Sequence, residues 1–423
     1  MVLDMSVDNS RLSGFHKKES CERVEEIAEL VGLSDEEVSS LVESGLSLES
    51  ADRMIENVVG KFELPVGIAT NFLVNGQDYL VPMVIEESSV VAAASKAAKL
   101  ARGTGGFFSS TTEPVMISQI QVTGVADPWN AKMKVIEKKD EIKELADEQD
   151  PVLVEHGGGC RDVRCRVVDS RYGSYLIVHL LVDCRDAMGA NAVNTMAEAV
   201  APLVEEVTGG VVCLRILSNL AKHRLARARV KYSKDDIGED AVEGVLQAYE
   251  FARVDPYRCA THNKGVMNGV TAVVSATGND TRAVEAGAHS YAAMGGYSPL
   301  TVWEKNDDGD LVGSIEIPVP VGLIGGATSS HDVAQVNLKI LGVDSAQELG
   351  EVMASVGLAQ NFAALRALST EGIQKGHMKL HAQNVAIAAG ADEEIVEEVA
   401  ARMVEEGKVR ADRAREIIEE MEE

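Results

Sequence analysis

The chain is 423 residues long, with 45% apolar and 25% charged residues, a composition ordinary for a globular protein. Its length exceeds what one hydrophobic core usually serves, so we expect two or three domains. The formal net charge of −27 excludes nucleic acid and anionic membrane surfaces as natural partners. Any anionic ligand must therefore be held by basic residues that gather locally.

The hydropathy of the chain indicates no membrane segment. Residues 1–9 lack a basic region followed by an apolar run, so no signal peptide is predicted. No stretch of about 18 residues is apolar and free of charge, so no transmembrane helix is predicted. The 6 cysteines include no Cys-x-x-Cys pair and are expected to be reduced thiols. We therefore expect a cytoplasmic protein.

The first hundred residues predict short helices, then a hairpin and a longer helix. A capping box over Ser34–Glu37 begins one helix, and apolar residues at helical spacing predict a second helix from Leu48 to near Gly60. The pair Asn75-Gly76 between apolar runs predicts a β-hairpin. The alanine-rich run 90–101 predicts a helix that its neighbours pack closely.

Residues 114–218 predict a separate unit. The pattern gives, in order, a strand over 114–124, a helix over 128–150, strands over 163–168 and 175–182, a helix over 191–206 and a strand over 211–217. This β-α-β-β-α-β order is that of the ferredoxin-like fold. No Gly-x-Gly-x-x-Gly follows a strand in this unit, so a Rossmann fold is not predicted.

A larger unit resumes at about residue 219 and carries the strongest chemical signal, in Cys259–Gly269 and Ala276–Asp280. The apolar residues 270–274 between these segments predict a strand. Lys264, held among glycines and amides, is suited to present a fixed ammonium to a developing oxyanion. Asp280 is expected to return near Lys264 and hold it. The alternative is a glycine-rich turn with a surface lysine and a turn aspartate.

Beyond His377 the sequence predicts two amphipathic helices separated at Gly407. His377 and His381 lie four residues apart on one helical face, so a metal-dependent hydrolase built on this pair is an alternative function. No glutamate stands at the second motif position and no third ligand follows nearby, so no metal is predicted.

Four motifs together resemble one enzyme family. They are Glu56–Gly60, Asp186-Ala-Met-Gly-Ala-Asn191, Thr261–Gly269 and Gly376-His377-Met378, in the family's order and approximate spacing. The chain is identified on these motifs, from about residue 10 to about residue 415, as a member of the hydroxymethylglutaryl-CoA reductases of the soluble bacterial and archaeal class (class II).

The resemblance implies an α+β fold. A large α/β substrate-binding domain would comprise residues 1–113 and 219–377, with a small ferredoxin-like NAD(P)-binding domain inserted over 114–218. Residues 378–423 would form a helical C-terminal flap, for which a static helical hairpin is the alternative. The resemblance also implies an obligate homodimer with shared active sites, and a hexamer of such dimers is left open.

The resemblance implies a four-electron reduction of hydroxymethylglutaryl-CoA to mevalonate by two NAD(P)H, with release of CoA. The same reaction run catabolically, as mevalonate oxidation, is an alternative, and a non-catalytic CoA-ester binder is another. Each hydride transfer creates an oxyanion that Lys264 would stabilise, with Asp280 holding the lysine. Glu87, rather than its neighbour Glu86, would donate the proton, and His377 would protonate the departing CoA thiolate.

The resemblance also implies the binding residues. Arg258 could pair with the free carboxylate of the hydroxymethylglutaryl group. The remaining substrate contacts would be Ser89, Thr261 and Asn268. For the dinucleotide, the motif at the start of the 191–206 helix has anion-binding geometry. The implied cofactor contacts are Asp186, Met188, Gly189, Asn191 and Asn219.

The cofactor is predicted to be NADH in preference to NADPH, although NADPH use stays open. Asp150 aligns with the aspartate that NAD-using relatives place against the adenosine ribose. A carboxylate there accepts hydrogen bonds from the 2′-hydroxyl and repels a 2′-phosphate. The alternative is that Asp150 is only a turn residue before Pro151.

Overall fold

The computed structural model describes residues 9–370, 373–392 and 395–422, and it forms two β-sheets surrounded by helices. The strands are β1 (Val66–Val74), β2 (Gln77–Val84), β3 (Phe107–Thr111), β4 (Val115–Thr123), β5 (Gly159–Ser170), β6 (Gly173–Asp183), β7 (Val211–Ser218), β8 (Leu225–Tyr232), β9 (Thr301–Lys305) and β10 (Leu311–Pro318). One sheet has six strands in the order β2-β1-β3-β8-β10-β9, and the other has four in the order β5-β6-β4-β7. The predicted α+β fold class is confirmed.

The helices provide most of the remaining structure. They are α1 (Ser20–Val31), α2 (Asp35–Ser39), α3 (Leu48–Met54), α4 (Val90–Ala101), α5 (Pro128–Glu137), α6 (Lys139–Asp147), α7 (Pro151–Glu155), α8 (Ala190–Thr208), α9 (Lys234–Ile237), α10 (Glu239–Val254), α11 (Pro256–Ala276), α12 (Thr281–Ala292), α13 (Gly326–Ser330), α14 (Asp332–Leu341), α15 (Ala346–Ser369), α16 (Ile373–Ala389), α17 (Val396–Glu405) and α18 (Ala411–Glu422). Short helical turns lie at Phe15–Lys17, Ser40–Ser44 and Arg102–Thr104. Among the described residues, no helix combines the length and the apolarity needed to cross a membrane.

The four-stranded sheet has the ferredoxin-like strand order that the sequence predicts. Its core lies between the sheet and the helices α5, α6 and α8. The helix expected over 128–150 is two helices instead, because the backbone at Lys138 turns out of the helical range with φ −94° and ψ 11°. Asp150 lies outside both of them and begins α7. The domain limits at residues 113, 218 and 377 stay predictions.

The six-stranded sheet begins with the hairpin that Asn75 and Gly76 predict. Both residues have positive φ, 51° and 85°, as a two-residue turn between twisted strands requires. Val74 pairs with Gln77 directly across the turn. The predicted helix at 90–101 is also confirmed, as α4, and it packs on β1.

Residues 270–274, predicted as a strand, lie instead within the 21-residue helix α11. Asp255 caps this helix by accepting a hydrogen bond from the Arg258 amide at 2.8 Å, and Pro256 fills its first position. The helix packs against α15, where Val270 lies beside Gly357 and Gly269 lets the two helices approach. A β-carbon at Gly269 would lie 2.9 Å from Gln360 Cβ. Close packing therefore outweighs the β-propensity of the valines.

The helix expected from Leu48 to near Gly60 ends at Met54. Only Ala51 of α3 is buried, so the chain has no surface that would hold a longer helix. The Glu56–Gly60 motif and the residues after it run outside regular structure to Pro65. Val59 in this segment is fully exposed and Phe62 is 89% exposed.

The C-terminal residues form three helices, where the sequence predicts two. The predicted pair is α17 and α18, while α16 precedes them and runs through position 377. The three helices share a small apolar core that includes Ala386, Met403 and Ile417. The residues that α16 contributes to that core begin at Ala382, so the predicted limit of the flap at residue 377 stays a prediction.

Candidate active site

Four predicted site residues lie on one face of α11. Arg258, Thr261, Lys264 and Asn268 follow one another at intervals of three or four residues, which places them along one stripe of a helix. This stripe is exposed or half-buried, whereas the neighbouring positions His262, Asn263, Val266 and Met267 are buried. The helix therefore fixes both the spacing and the direction of the polar side chains.

Lys264 forms an ion pair with Glu87. The lysine Nζ donates to Glu87 Oε2 at 2.6 Å, and Asn268 Nδ2 donates to the same oxygen at 3.1 Å. The side chains of Lys264 and Glu87 are 59% and 39% exposed, so the pair can be reached from solvent. Glu86 is exposed and has no described contact with this pair. Of the two adjacent glutamates, Glu87 is the one that faces the lysine.

Glu87 lies in the short loop between β2 and α4, and this loop is strained. Ser89 has φ 73°, a left-handed conformation that residues other than glycine seldom adopt. Ser89 stands at the start of α4, yet its hydroxyl does not cap the helix. Such strain is commonly found at ligand sites, and here it leaves a hydroxyl free beside Glu87.

A cavity of about 1220 Å³ opens beside Glu87 and Ser89. Glu87 is the one acidic residue among the described residues that line it, although the chain as a whole is strongly acidic. The basic lining residues are Arg11, His16, Lys17, Arg23, Lys96, Lys99 and Arg102. Arg102 is neutralised by Asp78 at 2.7 Å, which leaves the others to attract an anion.

Sequence reasoning missed this basic cluster. The available signal was the spacing of Lys96, Lys99 and Arg102, which lie three residues apart and so share one side of α4 and the turn after it. Arg11 and Arg23 come from the N-terminal segment, and no sequence pattern connects them with α4.

Asp280 does not pair with Lys264 within one chain, so that expectation is corrected. Its Oδ1 accepts hydrogen bonds from the amides of Arg282 and Ala283 at the start of α12, and the Arg282 guanidinium lies 3.3 Å away. Asp280 follows the far end of α11, roughly 18 Å along the helix axis from Lys264 at 1.5 Å per residue. Glu87 holds the lysine instead.

The side chain of His377 lies outside the described residues, so no contact is assigned to it. His381, one turn further along α16, is exposed. Among the described side chains, no three histidines, cysteines or carboxylates lie close enough to hold a metal ion.

The predicted cofactor motif connects β6 with the 19-residue helix α8. Gly189 begins the helix with φ 95°, no side chain caps the first amides, and no acidic residue lies in the first turn. The start of α8 therefore fits a phosphate. One oxygen of Asp186 is already engaged, because it accepts from the Ala346 amide at 2.8 Å. Asn191 and Asn219 are exposed.

Asp150 caps α7, where its Oδ1 accepts from the Leu153 amide at 3.0 Å. It is thus the turn residue that the sequence offered as an alternative, with a second oxygen for which no partner is described. Two arginines lie beyond the other end of α7. Arg161 and Arg185 both contact the buried Asp183, at 2.8 and 3.4 Å.

The ion pair beside a basic cavity and the uncapped helix start in a second unit are the arrangement expected of an enzyme that binds anionic ligands. Comparison with known proteins identifies the family. The model of the hydroxymethylglutaryl-coenzyme A reductase family matches residues 19–382. A 3-hydroxy-3-methylglutaryl-coenzyme A reductase of Archaeoglobus fulgidus is 60% identical over 414 residues, which cover 98% of this chain and 95% of that protein. A probable reductase of the same kind from Borreliella burgdorferi is 38% identical, over 78% of this chain and 77% of that protein.

Solved structures of the same family are also similar to this chain. The chain is similar to the 3-hydroxy-3-methylglutaryl-coenzyme A reductase of Streptococcus pneumoniae with a TM-score of 0.83 and 41% identity, over 97% of this chain and 99% of that chain. A class II reductase of the same organism, bound to NADPH in open conformations, gives a TM-score of 0.81 and 42% identity, over 84% of this chain and 99% of that chain. The chain belongs to the hydroxymethylglutaryl-coenzyme A reductase family and is an oxidoreductase that uses a nicotinamide dinucleotide.

Proposed function

We propose that this enzyme reduces hydroxymethylglutaryl-CoA to mevalonate, reversibly, with two reduced nicotinamide cofactors and release of CoA. One observation carries the proposal: Lys264 and Asn268 converge on Glu87, which also lines a basic cavity. A thioester reduction needs a cation where negative charge develops on the carbonyl oxygen, and a proton donor within reach of that oxygen. Lys264 provides the cation, and Glu87 in its protonated form would provide the proton and become the carboxylate that pairs with Lys264.

The cavity suits the CoA portion of the substrate. Its volume exceeds the usual range for a small-molecule pocket, as a long pantetheine chain with a nucleotide at its end requires. Lys96, Lys99 and Arg11 supply positive charge for the CoA phosphates. The opening beside Glu87 would then receive the thioester, and Arg258 and Thr261 on the same stripe of α11 would contact the free carboxylate end.

The dinucleotide would bind at the start of α8, where Gly189 and the first amides can receive its phosphates. When bound, the reduced nicotinamide supplies the hydride. We propose NADH as the preferred form, because the free oxygen of Asp150 can accept from a ribose 2′-hydroxyl and repels a 2′-phosphate. Comparing kcat/KM for NADH and NADPH tests this proposal. Parity or a preference for NADPH would contradict it, and Asp150→Ala should narrow the difference.

We further propose that two chains share each active site, because one chain leaves Asp280 remote from Lys264. In a homodimer, Asp280 of a second copy can reach the lysine. The exposed segment that follows α3, with Val59 and Phe62 in solvent, supplies apolar surface for such an interface. His377, from α16, would protonate the CoA thiolate. The free cysteines agree with a reducing compartment such as the cytoplasm.

The reductase assignment is tested by mixing purified protein with hydroxymethylglutaryl-CoA and, in separate assays, NADH or NADPH, and following cofactor oxidation. No oxidation with either cofactor would refute the proposed function. The shared site is tested by co-expressing Lys264→Ala and Asp280→Ala chains with different tags. If each site takes its lysine and aspartate from different chains, random pairing restores about a quarter of the wild-type activity, since half of the dimers are mixed and each has one intact site. If both residues come from one chain, no activity returns.

A further inference from the structure

Arg224 is a buried guanidinium at the junction of the two sheets. It lies in the connection from β7 to β8 and is 5% exposed. Its Nη1 donates to the carbonyl oxygens of Ala187 at 2.9 Å and Met188 at 3.1 Å. Its Nη2 donates to those of Arg185 at 3.3 Å and Val321. All of these bonds go to backbone carbonyls, so the charge is solvated by peptide dipoles.

Burying a charged guanidinium that is hydrogen-bonded only to backbone carbonyls costs free energy of folding. Burial disfavours the charged form and lowers the pKa of Arg224. A buried cation is usually matched by a carboxylate, whereas here the fork of the guanidinium is matched to several carbonyls. Three of these carbonyls belong to the loop 185–189, which carries the cofactor motif.

The same loop also contacts the backbone around Gly322. A β-carbon at Gly322 would lie 2.5 Å from the Met188 nitrogen and 2.8 Å from the Asp186 oxygen, so only glycine fits here. The Leu323 amide donates to the Asp186 carbonyl at 2.8 Å. The Asn279 side chain bonds both the amide and the carbonyl of Gly322, at 2.8 and 3.1 Å.

We propose that Arg224 is a positioning residue for the dinucleotide. It clamps the loop 185–189 against the larger sheet, and this fixes the free amides at the start of α8 in the orientation that receives phosphate. This inference rests on the proposed cofactor site. It predicts that Arg224 affects binding of the dinucleotide and leaves binding of the CoA ester nearly unchanged, because the basic cavity lies on other elements.

The test uses Arg224→Met, which keeps an unbranched apolar stem, and Arg224→Lys, which keeps the charge but cannot reach all of the carbonyls. Binding of NADH is measured by nicotinamide fluorescence, and hydrogen exchange is followed at the amides of residues 185–193. We expect the Kd for NADH to rise about tenfold or more in the methionine variant and less in the lysine variant. Exchange in the loop should accelerate, and the KM for the CoA ester should stay within about twofold.

Val204→Ala is the matched control. Val204 is fully buried in α8, about 20 Å along the helix from the loop, so its truncation lowers stability without touching the motif. If Val204→Ala with the same loss of Tm weakens NADH binding equally, or if Arg224→Met leaves NADH binding and loop exchange unchanged, the proposal is wrong. If Arg224→Met does not fold, the lysine variant decides by the same measures. NADH binding and hydrogen exchange need no turnover, so these two measurements decide on Arg224 even if the reductase assay fails.

Discussion

Replacing Lys264 with alanine should separate catalysis from stability. The Lys264–Glu87 pair is 59% and 39% exposed, so solvent screens its attraction. Exposed pairs of this kind contribute less than about 1 kcal/mol to the free energy of unfolding. Alanine also favours the helical backbone of α11 more than lysine does, which offsets part of that loss. The free energy of unfolding should therefore change by less than about 1 kcal/mol.

Catalysis should respond far more strongly. Removing one hydrogen-bond donor from an oxyanion site typically lowers kcat by a factor of about 10² to 10³. Lys264 brings a full charge, and its removal also leaves Glu87 with Asn268 as its one described partner. We therefore expect kcat to fall by at least about 100-fold, while the Kd for the CoA ester changes little because the basic cavity is intact.

The assay follows NADH oxidation with saturating hydroxymethylglutaryl-CoA, alongside thermal unfolding of the same preparations. Lys305→Ala is a matched control, since Lys305 is an exposed lysine paired with Glu243 on a different surface. It should lose similar stability and keep its activity. A Lys264→Ala enzyme that retains more than a few per cent of kcat would refute the role of the lysine. So would a fall in activity that merely follows a fall in Tm.

Three further predictions address other parts of the molecule. His377→Gln should slow CoA release more than it slows reduction of added mevaldehyde, and equal losses in the two assays would exclude thiolate protonation. Removing residues 378–423 should lower kcat sharply if this segment closes over the site, and unchanged turnover would show that it has no catalytic part. His262 has its pKa lowered by burial to about 3, so the folded state keeps it neutral while the unfolded chain protonates it below about pH 6.5. Stability is therefore lost as the pH falls from 6.5 towards 3, and His262→Gln should remove up to about 1.4 kcal/mol of that loss per pH unit, as urea unfolding at pH 7 and pH 5 would measure.

Features decided by neighbouring residues could be predicted from the sequence. The Asn75-Gly76 turn and the alanine-rich α4 need only local backbone preferences. The capping box at Ser34 is likewise present, with the Glu37 amide and carboxylate both engaged. In the small unit, the apolar pattern predicted the succession of strands and helices along the chain. That succession is typical of the ferredoxin-like fold, which has the strand order seen in the sheet.

The failures have tertiary causes. In α11, a capping aspartate followed by Pro256 was a usable helix signal, but the valines near its end favoured a strand. Only the close approach to α15 decides between these conflicting preferences, and no short window of sequence contains it. The basic cavity escaped notice because it gathers side chains from distant segments. The distance between Asp280 and Lys264 within one chain could not be predicted either, because the two residues were expected to flank a strand and are separated by the second half of the rigid helix α11.

The stripe on α11 also limits how this enzyme can change. Four polar side chains lie on one rigid helix at spacings of three or four residues, so the helical repeat fixes their separations. Adding or deleting one residue within the stripe would rotate everything beyond it by about 100°, carrying Asn268 away from Glu87 and burying it. Substitution of side chains along α11 can therefore change the substrate that the site accepts while the helix is preserved. Insertions and deletions within α11 would disrupt the site. Changes in chain length are therefore expected only in the turns that flank this helix.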